Sequence, residues 1–218
     1  MNFSIPSLTP EFYLTTSPVL ILCFGALIAM LQGVSRRVGG ESAVYGVLVA
    51  SLILALFGAI FAGPTVETTY LGGSYLAGVL SRFGQSLILV IAIVVAMLFR
   101  ATFLRDRFLR GEITSLYMMV VTGMLVTVAS EDLITLFVGL ELSSIGLYAL
   151  VGYLNPSRRS QEGAIKYFVL GSFAAALLLF GFALLYVSTG SLLLSEVSQA
   201  VPKLIGHSWV KLGVVFSL

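Results

Sequence analysis

Two ionisable residues stand inside otherwise apolar stretches: Glu141 and Lys166, 25 positions apart. A charge at bilayer depth costs roughly 2.5–3.5 kcal/mol on insertion scales, so such a group normally has a partner or a task. A carboxyl such as Glu141 ionises if a cation and water reach it. Otherwise it keeps its proton, because desolvation disfavours the charged form. A group that alternates between those states can relay protons. The plainer alternative is a protonated Glu141 hydrogen-bonded to a neighbouring helix. Ser143 and Ser144 follow it, and Tyr148 lies seven residues on, two turns along the same face. Lys166 stands four or five residues into its helix. Its stem either snorkels to the surface or turns toward Glu141 or a hydrated channel. Ideal helix geometry leaves on the order of 10 Å of depth between the two backbones, so a direct salt bridge needs a bend or an intervening water.

Other candidates have plainer readings. Glu131 and Asp132 suit the positive end of a helix, with Ser130 as its cap. His207 stands beside Trp209 and Lys211, as a polar anchor at an interface. Cys23, the only cysteine, reads as a small buried apolar residue and offers no metal cluster. Glycines 139, 146, 163, 171 and 181 suit close helix packing. No phosphate-binding glycine loop, metal-ligand spacing or activated nucleophile appears in the sequence, so hydrolytic or redox chemistry within it is not expected.

The elements that must position these groups are membrane helices. Of 218 residues, 58% are hydrophobic and 10% charged, well below the roughly 25% charged residues of a soluble domain. Mean hydropathy is +1.05. The fold class is all-α, a polytopic transmembrane helical bundle in a single membrane domain over 1–218. Thr9-Pro10-Glu11 is a helix-start signal. The expected spans are 11–34, 43–62, 83–99, 112–129, 132–152 and 161–188, with a seventh beginning at 209–218. Gly63-Pro64 ends the second. A looser segment to Arg82 follows, with Tyr70 and Tyr75 as interface aromatics. The basic run Arg100–Arg110 reads as a loop, Asn155-Pro156-Ser157 as a break, and 191–201 as a short helix lying along the interface. Because Arg36-Arg37 follow the first apolar run, that run reads as a retained span rather than a secretory leader. Ten residues cannot cross a core that needs about twenty, so the sequence is expected to be a fragment or to be completed by another chain.

Alternate loops put Arg36, Arg37, Arg100, Arg105, Arg107, Arg110, Arg158 and Arg159 on one side, and Arg82, Lys203 and Lys211 on the other. That bias predicts an N-terminus outside, with the hairpin between the fifth and sixth helices in the cytoplasm. The net charge of +2 suggests no nucleic-acid partner.

The run EDLITLFVGLELSSIGLYALVGY, followed by RRSQEGAIKYFVLGSFAAALLLFGFALLYVSTGSL, resembles subunit N of the proton-pumping NADH–quinone oxidoreductase, respiratory complex I. The preceding RGEITSLYMMVVTGMLVTVASEDL extends the likeness, which is close from Arg110 to Leu193. The glutamate of GLEL and the lysine of AIKYF carry it. The resemblance implies an antiporter-like fold of about fourteen helices, with two inverted repeats containing broken helices. It implies that Glu141 modulates proton uptake and that Lys166 belongs to a hydrophilic axis. It also implies partners among the other complex I membrane subunits and the lipid bilayer. No NADH, flavin or iron–sulfur cluster is expected in this chain. Principal proton-carrying lysines of the family lie on later helices than these. The expected function is therefore a share in proton pumping driven by electron transfer from NADH to quinone. The alternatives are a subunit of an Mrp-like cation/proton antiporter and a shortened scaffold that does not transport.

Overall fold

The computed structural model describes residues 10–34, 41–61, 67–106, 111–153 and 158–217. Arg36, Arg37, Gly63-Pro64, Arg107, Arg110, Asn155-Pro156-Ser157 and the lead through Thr9 lie outside them. The elements are α1 (Pro10–Val34), α2 (Glu41–Phe61), β1 (Thr68–Tyr70), β2 (Tyr75–Ala77), α3 (Val79–Asp106), α4 (Gly111–Val128), α5 (Leu133–Tyr153), α6 (Arg158–Thr189), α7 (Leu194–Leu204) and α8 (Ser208–Ser217). The first six helices are long and apolar enough to cross a membrane. Large apolar side chains such as Phe24, Phe57, Phe83, Phe173 and Val187 are exposed on them, as lipid rather than water would permit.

Helix α4 is the hub. Met118 and Leu125 are fully buried with Leu22 of α1, Leu52 of α2 and Leu89 of α3. Small residues let the backbones approach. A Cβ on Gly111 would lie 2.0 Å from the Ala29 carbonyl, and one on Gly123 would lie 2.6 Å from that of Gly139. Pro18 stands inside α1 and removes the donor that the Leu14 carbonyl would otherwise meet. The Ser17 hydroxyl donates to that carbonyl at 2.6 Å, which supplies in the membrane what water supplies elsewhere.

The segment expected to be loose is a β-hairpin. Thr68 pairs with Ala77 and Tyr70 with Tyr75 in antiparallel register. Its turn holds Leu71, Gly72 and Gly73 at φ of 56°, 70° and 99°. Two of these three left-handed positions are glycine, which tolerates them, while Leu71 is strained. Tyr75 is a correction: it is buried rather than an interface aromatic, and its hydroxyl accepts from Gln85 Nε2 at 3.0 Å. Helix α3 is also longer than its apolar window. Arg82 lies within its first turn and donates to the Ala59 and Ile60 carbonyls, so it closes the end of α2. At the other end the helix continues through Arg100 to Asp106, because charge ends a hydrophobic window without ending a helix.

Backbone hydrogen bonds lace three connections into one patch. Leu76 N donates to Ala129 O at 2.7 Å and Glu131 N to Ser74 O at 2.9 Å. Leu133 N donates to Leu192 O at 3.0 Å and Leu194 N to Glu131 O at 2.9 Å. Asp132, not Ser130, caps α5. Its Oδ1 accepts from Ile134 N at 2.8 Å and Thr135 N at 2.9 Å, and its Oδ2 from Thr135 Oγ1 at 2.6 Å. Ser130 instead donates to Thr127 O at the end of α4. Helix α7 runs three residues later than expected. It packs Val197 against Leu133, Phe182 and Leu185, so its apolar stripe meets protein rather than lipid.

Burial pushes the Asp132 carboxyl up, but hydrogen bonds from Thr135, Ser74 and Ile134 outweigh it and hold the group below its ordinary 3.8. A depressed native value gives stability that is present above the unfolded pKa and lost as pH falls through the folded one. Removal of this cap by Asp132→Ala should cost about 1–2 kcal/mol at neutral pH. Thermal unfolding in detergent from pH 7 to pH 3 should show the native chain losing stability on acidification, and the variant losing less. Gly139→Ala should also lower the unfolding midpoint, because its methyl would lie 2.7 Å from Thr127 N. Gly163, expected to pack, has nothing within 4 Å of its Cβ position. Gly163→Ala should therefore be neutral or stabilising by up to about 1 kcal/mol, and a similar drop for both variants would refute the packing account.

Candidate functional site: a cleft beside Glu141

Helix α5 has two faces of different character. Gly139, Ser143 and Gly146 follow i, i+4, i+7 spacing and press on α4. Ser143 is buried and donates to the Val120 and Gly139 carbonyls, each at 3.1 Å. Glu141, Ser144 and Tyr148 follow i, i+3, i+7 spacing, and on an ideal helix their face lies roughly 170° away. They line a cleft of about 490 Å³ between α5, α6 and α8. The far wall is apolar: Gly171, Ala174 and Ala175 of α6 together with Val215 and Phe216 of α8. Ser143 and Ser144, adjacent in sequence, thus serve opposite sides of the helix.

Glu141 is half-buried, near the middle of α5. Among the described residues its carboxylate has no hydrogen bond or ion pair, so its polar atoms are left to whatever enters the cleft. The neighbouring-helix hydrogen bond considered for it is not formed. Lys166 is not its partner. Its Nζ lies 2.5 Å from Glu162 Oε1, in an exposed pair within α6. Glu162 is one turn toward the Arg158–Arg159 end, so the ammonium leans to that end and away from the level of Glu141. This is the direction snorkelling would take, with a carboxylate along the way. Sequence reading omitted Glu162, although a Glu four residues before a Lys is a known helix pair.

The two ends of α5 are tied. Asp132 and the backbone lace hold one. At the other, the Tyr153 hydroxyl donates to the Glu112 carboxylate at the start of α4. His207 and Trp209 line a different cleft, of about 410 Å³, with Leu184, Val187 and Val210. It lies at the opposite end of α8 from Phe216, and both named residues are exposed. Among the described residues no cluster of His, Cys, Asp and Glu could hold a metal ion. A carboxyl, a hydroxyl and a phenol on an otherwise apolar wall can exchange protons with water. They form no nucleophile–base pair of the kind bond-breaking chemistry requires.

Residues 130–218 match the family model described as NADH:quinone oxidoreductase/Mrp antiporter, TM. NADH-quinone oxidoreductase subunit N of Azoarcus sp. is 35% identical over 222 residues, covering 99% of this chain and 43% of that protein. The chain therefore spans less than half the length of the curated relatives it matches. A chain of respiratory complex I from Thermus thermophilus, solved with bound aureothin, superposes with a TM-score of 0.72 at 27% identity, over 92% of this chain and 42% of that one. A chain of the Mrp complex from Dietzia sp. gives 0.70 at 20% identity, over 93% of this chain and 23% of that one, and that likeness speaks to the fold alone. The fold is thus antiporter-like, and the chain is an integral membrane protein.

Proposed function

We propose, for a chain that is 35% identical over nearly its full length to NADH-quinone oxidoreductase subunit N of Azoarcus sp., that it forms part of the proton-translocating membrane arm of such a complex. In this reading it assembles with other membrane subunits and carries no redox group of its own. Electrons pass from NADH to quinone elsewhere in the assembly. The observation that supports the reading is Glu141: a carboxyl at mid-helix, without a protein partner among the described residues, open to a cleft that water can fill.

The chemistry follows from its setting. With water and a cation near, the carboxylate is stabilised; with the cleft dry, the acid is. A change elsewhere in the assembly that alters hydration or charge beside Glu141 would move its proton affinity and make it take up or release a proton. Lys166, paired with Glu162 nearer the arginine-rich end, places an ion pair at a second depth on that side. The orientation that fits is the one in which the arginine-rich loops face the cytoplasm and the N-terminus lies outside.

A cation/proton antiporter module is the second reading, favoured by the Mrp half of the matched family description and by the fold shared with an Mrp complex. Sodium-dependent proton exchange without NADH or quinone would support it. For the first reading, Glu141→Gln in the assembled complex should lower NADH-driven proton translocation several-fold, with coupled quinone reduction falling alongside. Lys166→Met should have a smaller effect in the same direction. Wild-type pumping by Glu141→Gln, measured in vesicles with a pH-sensitive dye, would sink the assignment.

A further inference from the structure

Tyr148 carries a phenol that its packing does not require. Its ring meets Tyr167 edge-on at 4.8 Å and Phe168 at 5.7 Å, both on α6. A phenylalanine would make the same ring contacts. The hydroxyl sits where Gly171 has no side chain: a Cβ there would lie 1.9 Å from the Tyr148 oxygen. The missing methyl is thus a seat for an oxygen. That oxygen has no hydrogen-bond partner among the described residues, and Tyr148 lines the same cleft as Glu141 and Ser144.

The three polar groups form a ladder. Glu141 to Ser144 is about 4.5 Å of axial rise and Ser144 to Tyr148 about 6 Å. Each step is within reach of a side chain and one water. The cleft has room for on the order of ten waters at about 30 Å³ each. Its other walls are apolar, so these rungs are where such a file would bind. The ladder runs from Glu141 toward the level of Lys166, since Tyr148 abuts Tyr167, the next residue in the chain. It covers most of the depth that separates the two charges.

The geometry points to Tyr148 as a proton-relay residue that connects Glu141, through Ser144 and cleft water, to the Arg158–Arg159 end of the α5–α6 pair. This rests on the proposed role of Glu141. In each passage the phenol oxygen accepts a hydrogen bond from a protonated water on one side and takes its proton. Its own hydrogen passes to water or Ser144 on the other side. The phenol ends as it began, and the net change is one proton advanced toward or away from the Glu141 carboxylate. Rotation of the hydroxyl about its C–O bond resets the step.

Three substitutions in the assembled complex test this. Tyr148→Phe keeps the ring contacts and deletes the relay oxygen; proton translocation per electron should fall at least threefold. Combined with Glu141→Gln it should add little, because both act in one path. Replacing Tyr148 with 3-fluorotyrosine keeps ring, hydroxyl and packing but makes the phenol more acidic; the pH profile of pumping should move to lower pH. A tyrosine that only packs would leave that profile in place. Gly171→Ala fills the seat and displaces the hydroxyl, and should resemble Tyr148→Phe even if the latter assembles poorly. Wild-type pumping by Tyr148→Phe, or an unmoved profile with 3-fluorotyrosine, overturns the relay while leaving Glu141 in place if Glu141→Gln is still impaired. If Glu141→Gln itself pumps normally, the underlying reading falls as well.

Discussion

The contact of α4 with the glycine face of α5 determines where the chemistry points. Gly139, Ser143 and Gly146 lie against Thr127, Gly123 and Val120 at distances a side chain would not allow. Once that face is committed, helix geometry leaves no freedom for the opposite one. Glu141, Ser144 and Tyr148 are turned away from α4 by half a rotation, toward α6 and α8. A carboxyl placed two residues earlier or later would have been driven into the α4 contact, where the backbones leave no room for it. The position of Glu141 is thus decided by its neighbours' lack of side chains as much as by its own identity.

Rotation alone does not fix depth. The cap at Asp132 and the backbone lace do that, because α5 cannot slide along its axis without breaking bonds to the hairpin and to the α6–α7 connection. Asp132 itself bonds four donors through its two oxygens, from Ile134, Thr135 and Ser74. The same patch anchors the start of α7, whose Val197 closes over Phe182 and Leu185 of α6. The far wall of the cleft therefore takes its height from the patch that sets the height of α5. Both walls refer to one reference surface, which is how a cleft keeps its shape in a medium that offers no competing hydrogen bonds.

Much of this was legible from residues alone, and the remainder failed for identifiable reasons. Apolar windows locate the six long helices because a bilayer demands about twenty residues of one kind. They misplace the ends of α3, since Arg82 and Arg100 belong to that helix for reasons of capping and propensity that hydropathy does not weigh. The hairpin was invisible because its strands are three residues long and alternation cannot be read over three positions. Ser143 and Ser144 looked like one polar pair until the spacing from Gly139 separated them. The seat at Gly171 was beyond sequence reasoning in kind. A glycine announces that something approaches, and only the folded chain shows that the visitor is a hydroxyl from α5.

The two charges inside the membrane meet their environment differently, and the difference bears on function. Lys166 is satisfied within its own helix. Glu162 lies one turn away, and the stem leans toward the end of α6 that carries Arg158 and Arg159. Glu141 has no such arrangement. It sits at mid-helix, where snorkelling has the furthest to go, and the α6 and α8 walls of its cleft are apolar side chains that cannot donate to it. Its polar atoms are therefore met by what enters the cleft, and the cleft is bounded in part by α8, packed on α6 through Gly181 and Gly213. The α4–α5 contact thus positions the carboxyl, and the cleft between α5, α6 and α8 supplies its surroundings.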